Sequence, residues 1–590
     1  CRGGTVINWL FLAVHYAMEY SFLGTPDECK SAEFVPGYNL GGEGVDIVTM
    51  ENKQAYMINM EDYLNTDEKC TLIKNPFLEN KVQKLPMAMV DWRPSVKCSA
   101  TMKSVVFDSS ESLVNETSSV ITNDWKVGLS FKTQGSVVLA GSHSKESQFS
   151  MERTKHDKTS FSSQTFQCQH YSYRLIENPP LLKHFSDSIQ KLPKRYKKMA
   201  YQKIIDTYGT HFITHVSLGG KVKTITAIKT CEAALNGVKV EDVKDCLDVE
   251  ASTTIKGTIT ANTAYKYCEQ KKKNLKIGDR FSTTFSDRKT FIQGGNSNIE
   301  NLLFSSKLDP NAYKNWLEST KSIPGVIQYS LEPLHMLIQN DTKKKRNMRL
   351  AISKYIQRNG FQTHCSSKCK DGSFASKHNS CLCVCNENPN FDNMCCPRKL
   401  GIAELSVRVN KAEGLYGDTW SQTDGYVKVF FGDKKLQTNI IYENNNPVWN
   451  MDLDFGTVEL SMIAQIKVEV WDEDNAWYKW WHDYLGGCTI SIKHGNHKKM
   501  CTLNHGTVHF SYTIRCAPSL GGETCRNYQP SPISTSLMDS FVSRNAIPIT
   551  QSSVSKWNQK PVIYTKLPKG KGFWASVVLF FKYITENKKI

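Results

Sequence analysis

The chain has 590 residues, 40% apolar and 22% charged, which excludes a wholly disordered protein and suits about four domains of ~150 residues. Lysine and arginine number 74 against 57 acidic residues, a formal charge of +17 that favours anionic partners, either nucleic acid or acidic membrane. Nineteen cysteines, seven of them between Cys365 and Cys396, argue against a reducing cytosol and make nucleic acid the weaker partner.

Residues 1–27 read as a residual signal or leader segment: Arg2 precedes the apolar run Val6–Val14 and small residues follow it. An ordinary buried helix is the competing reading. No run supplies the ~20 apolar residues of a conventional membrane-spanning helix, and Phe573–Phe581 fits a strand or core segment better. Asn115 and Asn340 each head an N-x-T triplet, so both are glycosylation acceptors consistent with secretion.

Val137 to Cys168 alternates weakly, with Val137, Leu139, Phe149, Met151 and Phe161 sharing odd parity. Arg195–Thr207 and Asn347–Gln357 read as amphipathic helices. Between the first of these and the next alternating segment stands Tyr201, then Tyr208-Gly209-Thr210-His211-Phe212, then His215 and Gly219-Gly220. The i, i+4 histidines lack the intervening acid of H-E-x-x-H and a third ligand, so they read as structural rather than as a zinc site.

From Leu247 the alternation is nearly strict. Odd positions to Tyr267 are mostly apolar or aromatic and even positions hydrophilic; the lysine-rich run 270–274 reads as a turn, and odd-numbered apolar residues resume from Leu275 to Phe291. Globular strands average 5–6 residues. A strand of ~9–11 residues with one lipid-compatible face crosses a bilayer. A long hairpin on a soluble core, or an amphipathic helix pair, remains the alternative. The segment Val137–Cys168 is long enough for a second hairpin, but the resulting four strands cannot close a barrel, and an open edge in lipid leaves backbone groups unpaired, so insertion demands many copies joined in a ring.

The cysteines between 365 and 396 are spaced poorly for zinc and suit an EGF-like disulfide knot. From Ile402 short alternating runs, 405–409, 426–430 and 466–471, read as a β-sandwich. Its loops carry Asp418 and Asp424, then Asp472, Asp474 and Asp483; carboxylates so placed repel one another unless a hard cation such as Ca2+ sits among them. Trp477, Tyr478, Trp480 and Trp481 crowd the later loop, and Tyr416 and Trp420 flank the earlier one. Such rings favour a membrane–water interface. After Cys525 the chain is rich in Ser, Pro, Gln and Asn and reads as a loosely ordered extension.

The block Tyr201…Tyr208-Gly209-Thr210-His211-Phe212, with Asn123-Asp-Trp-Lys-Val-Gly128, Ala140-Gly-Ser-His143, Gly294-Gly295 and Leu331-Glu-Pro-Leu-His335, resembles the membrane attack complex/perforin (MACPF) family. The acidic loops and Asn444-Asn-Asn-Pro-Val-Trp449 resemble a C2 domain. The resemblance implies an α+β multidomain chain. A MACPF bent antiparallel sheet with two helical clusters (28–360) is followed by an EGF-like module (361–398), an all-β C2 sandwich (399–515) and an extension (516–590).

It further implies that the clusters, mapping to about 130–175 and 247–293, refold into membrane hairpins, with Gly219, Gly220, Gly294 and Gly295 easing a bend. Lys203 and Glu332 would face each other between subunits. It pairs Cys29–Cys70, Cys98–Cys168, Cys231–Cys396, Cys365–Cys381, Cys369–Cys383, Cys385–Cys395, Cys488–Cys501 and Cys516–Cys525. Cys246 and Cys268 are left as a ninth candidate pair, and Ile73 stands where the pattern has a further cysteine. The implied function is a secreted, Ca2+-dependent pore former, released from granules, that docks on phospholipid and assembles as a homo-oligomeric ring for immune killing. It would have no catalytic residue, no small-molecule substrate and no nucleic-acid partner. A phospholipid-binding scaffold that never inserts is the rival.

Overall fold

The structure is a computed structural model that describes residues 21–98, 102–131, 137–138, 140–257, 263–275, 280–296, 302–304, 310–363, 373–375, 383–417, 419, 421–474, 482–530, 541–542 and 548–551. The amino-terminal body contains, in order, β1 (Glu43–Asp46), β2 (Glu51–Tyr56), β3 (Met89–Cys98), β4 (Lys103–Phe107), α1 (Ser110–Thr117), α2 (Lys145–His156), β5 (Thr159–Leu175), α3 (Lys198–Tyr208) and β6 (His211–Lys229). Then come α4 (Val240–Lys256), α5 (Thr263–Leu275), β7 (Arg288–Gln293), β8 (Gly325–Pro333) and α6 (Thr342–Asn359).

Two long antiparallel strands form the spine. β5 and β6 pair from Thr159↔Lys229 to Arg174↔His215, with an irregularity between Gln169 and Tyr171. Each outer neighbour is made of two pieces: β3 and β4 along β5, β8 and β7 along β6. Both outer lines break at one level, while β5 and β6 run through it. β3 ends at Cys98, bridged to Cys168; β7 ends at Gln293; β8 starts at Gly325; Gly219-Gly220 lies between. Gly294 and Gly295 have φ +76° and +70°, the left-handed region glycine enters without penalty. Gly219 is needed for a different reason: a Cβ there would lie 1.9 Å from the Cys168 carbonyl oxygen on the paired strand.

The helical clusters lie on opposite faces of this spine. Phe107, Leu113 and Phe149 pack with Phe161, Ile225 and Ala227 beneath α1 and α2, whereas Val243, Cys246 and Leu247 pack with Ile228, Cys268 and Phe281 under α4 and α5. The alternating segment 247–267 is therefore helical in this form over its described part, and the lysine run 270–274 lies inside α5 rather than in a turn. The physical reason is in the numbers. Val243, Leu247, Ala251 and Ile255 are four apart, and a step of four preserves both a helix face and strand parity. Likewise Val137–Cys168 divides into α2 and β5. The expected helices at 195–207 and 347–357 are present as α3 and α6.

The carboxy-terminal sandwich contains β9 (Ile402–Glu413), β10 (Gly425–Phe431), β11 (Lys434–Gln437), β12 (Val448–Glu459), β13 (Gln465–Glu473), β14 (His482–Ser491), β15 (Gly495–Thr502) and β16 (Thr507–Cys516). Its sheets run β12-β9-β16-β15 and β11-β10-β13-β14. Inward residues of the alternating runs, among them Leu405, Val407, Val409, Val427, Val429, Val468 and Val470, form its core. Disulfides close Cys29–Cys70, Cys98–Cys168, Cys231–Cys396, Cys246–Cys268, Cys385–Cys395, Cys488–Cys501 and Cys516–Cys525. Cys365, Cys369, Cys381 and the Cys383 side chain lie outside the described residues, as does Phe573–Phe581. Within the expected loose extension, Pro548–Gln551 forms a strand against Phe361–Thr363.

Candidate functional site

Three loops meet at one end of the sandwich: β9–β10, β11–β12 and β13–β14. The middle loop clamps the first. Asn445 accepts hydrogen bonds through Oδ1 from the Thr423 backbone N–H (3.0 Å) and the Thr423 hydroxyl (3.0 Å). Its carbonyl accepts from Leu415 N–H at 2.9 Å, and Asn446 Oδ1 accepts from Gly414 N–H at 2.9 Å. Buried Trp449 anchors the far side by donating Nε1–H to the Asn439 carbonyl at 3.1 Å. The N-P-x-W element thus acts as a backbone template.

Asp472, at the end of β13, is 2% exposed, and its Oδ1 accepts the Asp424 backbone N–H at 2.6 Å. Asp424 in turn accepts the Glu443 N–H through Oδ1 at 2.7 Å and the Glu473 N–H through its carbonyl at 3.0 Å. Asp483 stands opposite Asp472 in the β13–β14 register, and Asp474 follows two residues on. A Cβ on Gly417 would lie 1.7 Å from Asp472 Oδ2, so the first loop passes directly over this carboxylate. Asp424, Asp472, Asp474 and Asp483 offer only hard oxygen donors, the chemistry of Ca2+ rather than of zinc. Among the described residues no three acidic, histidine or cysteine side chains gather tightly enough to hold a metal. Asp418, Trp420, Trp477, Tyr478, Trp480 and Trp481 lie outside the described residues; Tyr416 is 51% exposed at the loop end, edge-on to His505. The acidic pattern does not reach Gly417 or Asn445; in the sequence, only the glycine preceding Asp418 and the N-P-x-W motif point to them.

The signature block is architectural. His211 is fully buried; its Nε2–H donates to the Trp125 carbonyl at 2.9 Å, so Nδ1 accepts from the Thr210 hydroxyl at 2.8 Å. Thr210 Oγ1 also accepts the Ile47 N–H at 3.0 Å. Burial pushes the imidazole down to about 4, keeping it neutral. His215 is exposed four residues along the same strand, about 13 Å on at the usual rise, so the two histidines do not share a metal. Tyr201 donates its hydroxyl to the Pro193 carbonyl at 2.9 Å, Tyr208 packs edge-on against Phe185, and Phe212 is buried. Gly209 turns at φ +82°, where a Cβ would lie 2.5 Å from the Val45 carbonyl oxygen. Gly220 abuts Trp316 and Thr320, a Cβ there lying within 3.0 Å of both. Lys203 on α3 and Glu332 on β8 are both exposed, as are Asn115 and Asn340.

Family models match the chain in order: the MAC/Perforin domain over residues 36–365, the Perforin-1-like EGF domain over 364–398 and the C2 domain over 403–505. The chain is 39% identical to Perforin-1 of Mus musculus over 519 residues, covering 86% of this chain and 93% of the relative. It is 38% identical to Perforin-1 of Homo sapiens over 515 residues, covering 85% and 92%. A solved C2 domain shares 34% identity, covers 19% of this chain and 97% of its own, and has a TM-score of 0.17. With the first model spanning more than half of the sequence, the chain belongs to the MAC/Perforin family of non-enzymatic, pore-forming proteins.

Proposed function

We propose that this chain is a secreted, Ca2+-dependent pore former that reaches target membranes from the granule or extracellular space and acts in immune killing. The observation that carries the reading is the odd-numbered apolar set that the helices leave off their buried stripe: Val249 and Tyr265 are only half-buried and Tyr267 is 40% exposed here, yet with Leu247 and Ala251 they would line one face of a strand. A soluble helix pair has no need of that second pattern. Support for docking comes from the acidic loops, which carry Asp424, Asp472, Asp474 and Asp483 at the sandwich end that also holds exposed Tyr416. When bound, Ca2+ would neutralise the carboxylates and so permit the neighbouring rings to approach lipid. Asp424, Asp472, Asp474 and Asp483, with Asp418, are the residues that would hold it, and extracellular modules of this kind work at ~10⁻⁴–10⁻³ M.

In this reading residues 28–360 form the pore, 361–398 the linker, 399–515 the docking module and 516–590 an extension. Gly219, Gly220, Gly294 and Gly295 serve as the hinge line, and subunits join as a ring through edges carrying Lys203 and Glu332. Exposed charge pairs contribute only ~0–1 kcal/mol each, so a charge swap should shift the salt dependence of assembly rather than abolish it. Liposome dye release tests the whole reading. Release with Ca2+ and none with chelator is the expected result; Ca2+-dependent binding without release would instead identify a phospholipid-binding scaffold.

A further inference from the structure

The ladder between β6 and β7 defines where any continuation must go. Six pairs run in unbroken antiparallel register from Lys221↔Gln293 to Thr226↔Arg288. Beyond Thr226 each residue gained on the β6 side meets one residue earlier on the β7 side. Twenty steps on, the partners are Cys246 and Cys268, which are the two cysteines that bridge α4 to α5 with Cα atoms 5.5 Å apart. Directly opposed residues of an antiparallel pair sit about 4.5–5.5 Å apart, so the same bridge fits both the helical arrangement and the extended one.

Continued further, the register sets Leu247 against Tyr267, Val249 against Tyr265, Ala251 against Thr263 and Ile255 against Ile259, and it turns the chain at Gly257. Every one of these pairs falls on the odd-numbered, apolar face. The cysteines fall on the even-numbered, hydrophilic face. Gly257 already has φ +68°, the left-handed conformation that a short hairpin loop requires. The arms between bridge and turn are about ten residues each, within the 9–11 that a spanning strand needs. A hairpin turning at Lys271–Lys273 fails this test. It would make Cys246 and Cys268, 22 residues apart in sequence, the two ends of one strand about 70 Å long, and the bridge would have to break.

We propose that release of α4 and α5 extends the β6–β7 ladder in its present register, with Cys246–Cys268 retained as a cross-strand staple above the membrane-spanning arms and Gly257 at the tip. This rests on the pore-forming reading above. The staple keeps the arms in register as they leave the sheet, because a slip of one residue would turn every apolar side chain to the wrong face.

The test uses full-length protein on Ca2+-loaded anionic liposomes without reductant. Unlabelled protein is recovered from pores and mapped by non-reducing peptide mass spectrometry; the Cys246–Cys268 peptide pair should be intact, and added reductant should change the dye-release rate by less than roughly twofold. An environment-sensitive fluorophore is then placed at Thr253→Cys, Ser252→Cys or Lys272→Cys. Emission should rise roughly threefold or more, with a blue shift, at 253 only, the odd position inside the arm. Release that depends on reductant, pores lacking the bridge, or a label at 272 entering lipid would each overturn the register while leaving pore formation standing. Dye release absent under every condition would remove the pore-forming reading itself. Because the mapping arm uses the native chain, it decides the question even if a labelled variant does not fold.

Discussion

Replacing Gly417 by alanine probes the docking site without touching an acidic residue. The added Cβ would stand 1.7 Å from Asp472 Oδ2 and 2.6 Å from its Cγ, against a practical minimum near 3.0 Å. Either the loop or the carboxylate must therefore move by more than about 1 Å. Asp472 is 2% exposed and already accepts the Asp424 N–H at 2.6 Å, so displacement of one carboxylate drags the other. Ca2+–oxygen distances tolerate a window of only about 0.3 Å. Losing one carboxylate ligand should raise the half-maximal Ca2+ for co-sedimentation with anionic liposomes at least tenfold, equivalent to about 1.4 kcal/mol. In chelator the thermal midpoint should stay within a few degrees of the parent, because the clamp from Asn445 and the sandwich core are untouched. An unchanged Ca2+ midpoint with a parental melting curve would refute the placement of Asp472 in the cation site.

Three further outcomes follow from the sheet. Lys223 is 8% exposed between β6 and α1, with one hydrogen bond to the Thr117 hydroxyl at 3.3 Å, and burial holds its ammonium below the ordinary lysine range. Lys223→Met should therefore stabilise the protein by about 1 kcal/mol in denaturant titration, more at pH 6 than near pH 10, because the buried ammonium gives up its proton, and with it the burial penalty, before the unfolded lysine does at ~10.4. His211 and His335 are both pushed down to about 4 by burial, while unfolded imidazoles protonate below ~6.5. Between those values the unfolded chain binds more protons, so stability should fall as pH drops from 6.5 to 4, by up to about 3 kcal/mol per histidine. A flat profile in urea titrations across that window would contradict their buried, neutral state. Gly219→Ala drives a Cβ to 1.9 Å from the Cys168 carbonyl oxygen and should cost 2 kcal/mol or more, by rough comparison with other backbone clashes. Gly237→Ala, with nothing within 4 Å but φ +71°, is the matched control and should cost about 1 kcal/mol.

Much of this protein is determined by residue order alone. The odd-numbered apolar positions of 247–267, the crowded cysteines, the acidic loop spacings and the short alternating runs after Ile402 each follow from side-chain chemistry at a given spacing, and a sequence carries them fully. What they leave open is which of two compatible structures is adopted. Val243, Leu247, Ala251 and Ile255 satisfy a helix and a strand equally, and packing of the helix against Ile228 and Phe281 decides for the helix in this form. The lysine run 270–274, by charge a turn, is held helical because the bridge at Cys268 and the Lys271–Asp242 ion pair tie α5 to α4. Gly417 matters only because Asp472 lies beneath it, 55 residues later in the chain, and Asn445 only because Thr423 is within reach. These are long-range contacts, and local composition cannot encode a distance between loops. The pairing of Cys246 with Cys268 is the case where both levels meet: parity along the chain is compatible with a hairpin, and the register of β6 with β7, visible only in the folded sheet, is what fixes where the proposed hairpin would turn.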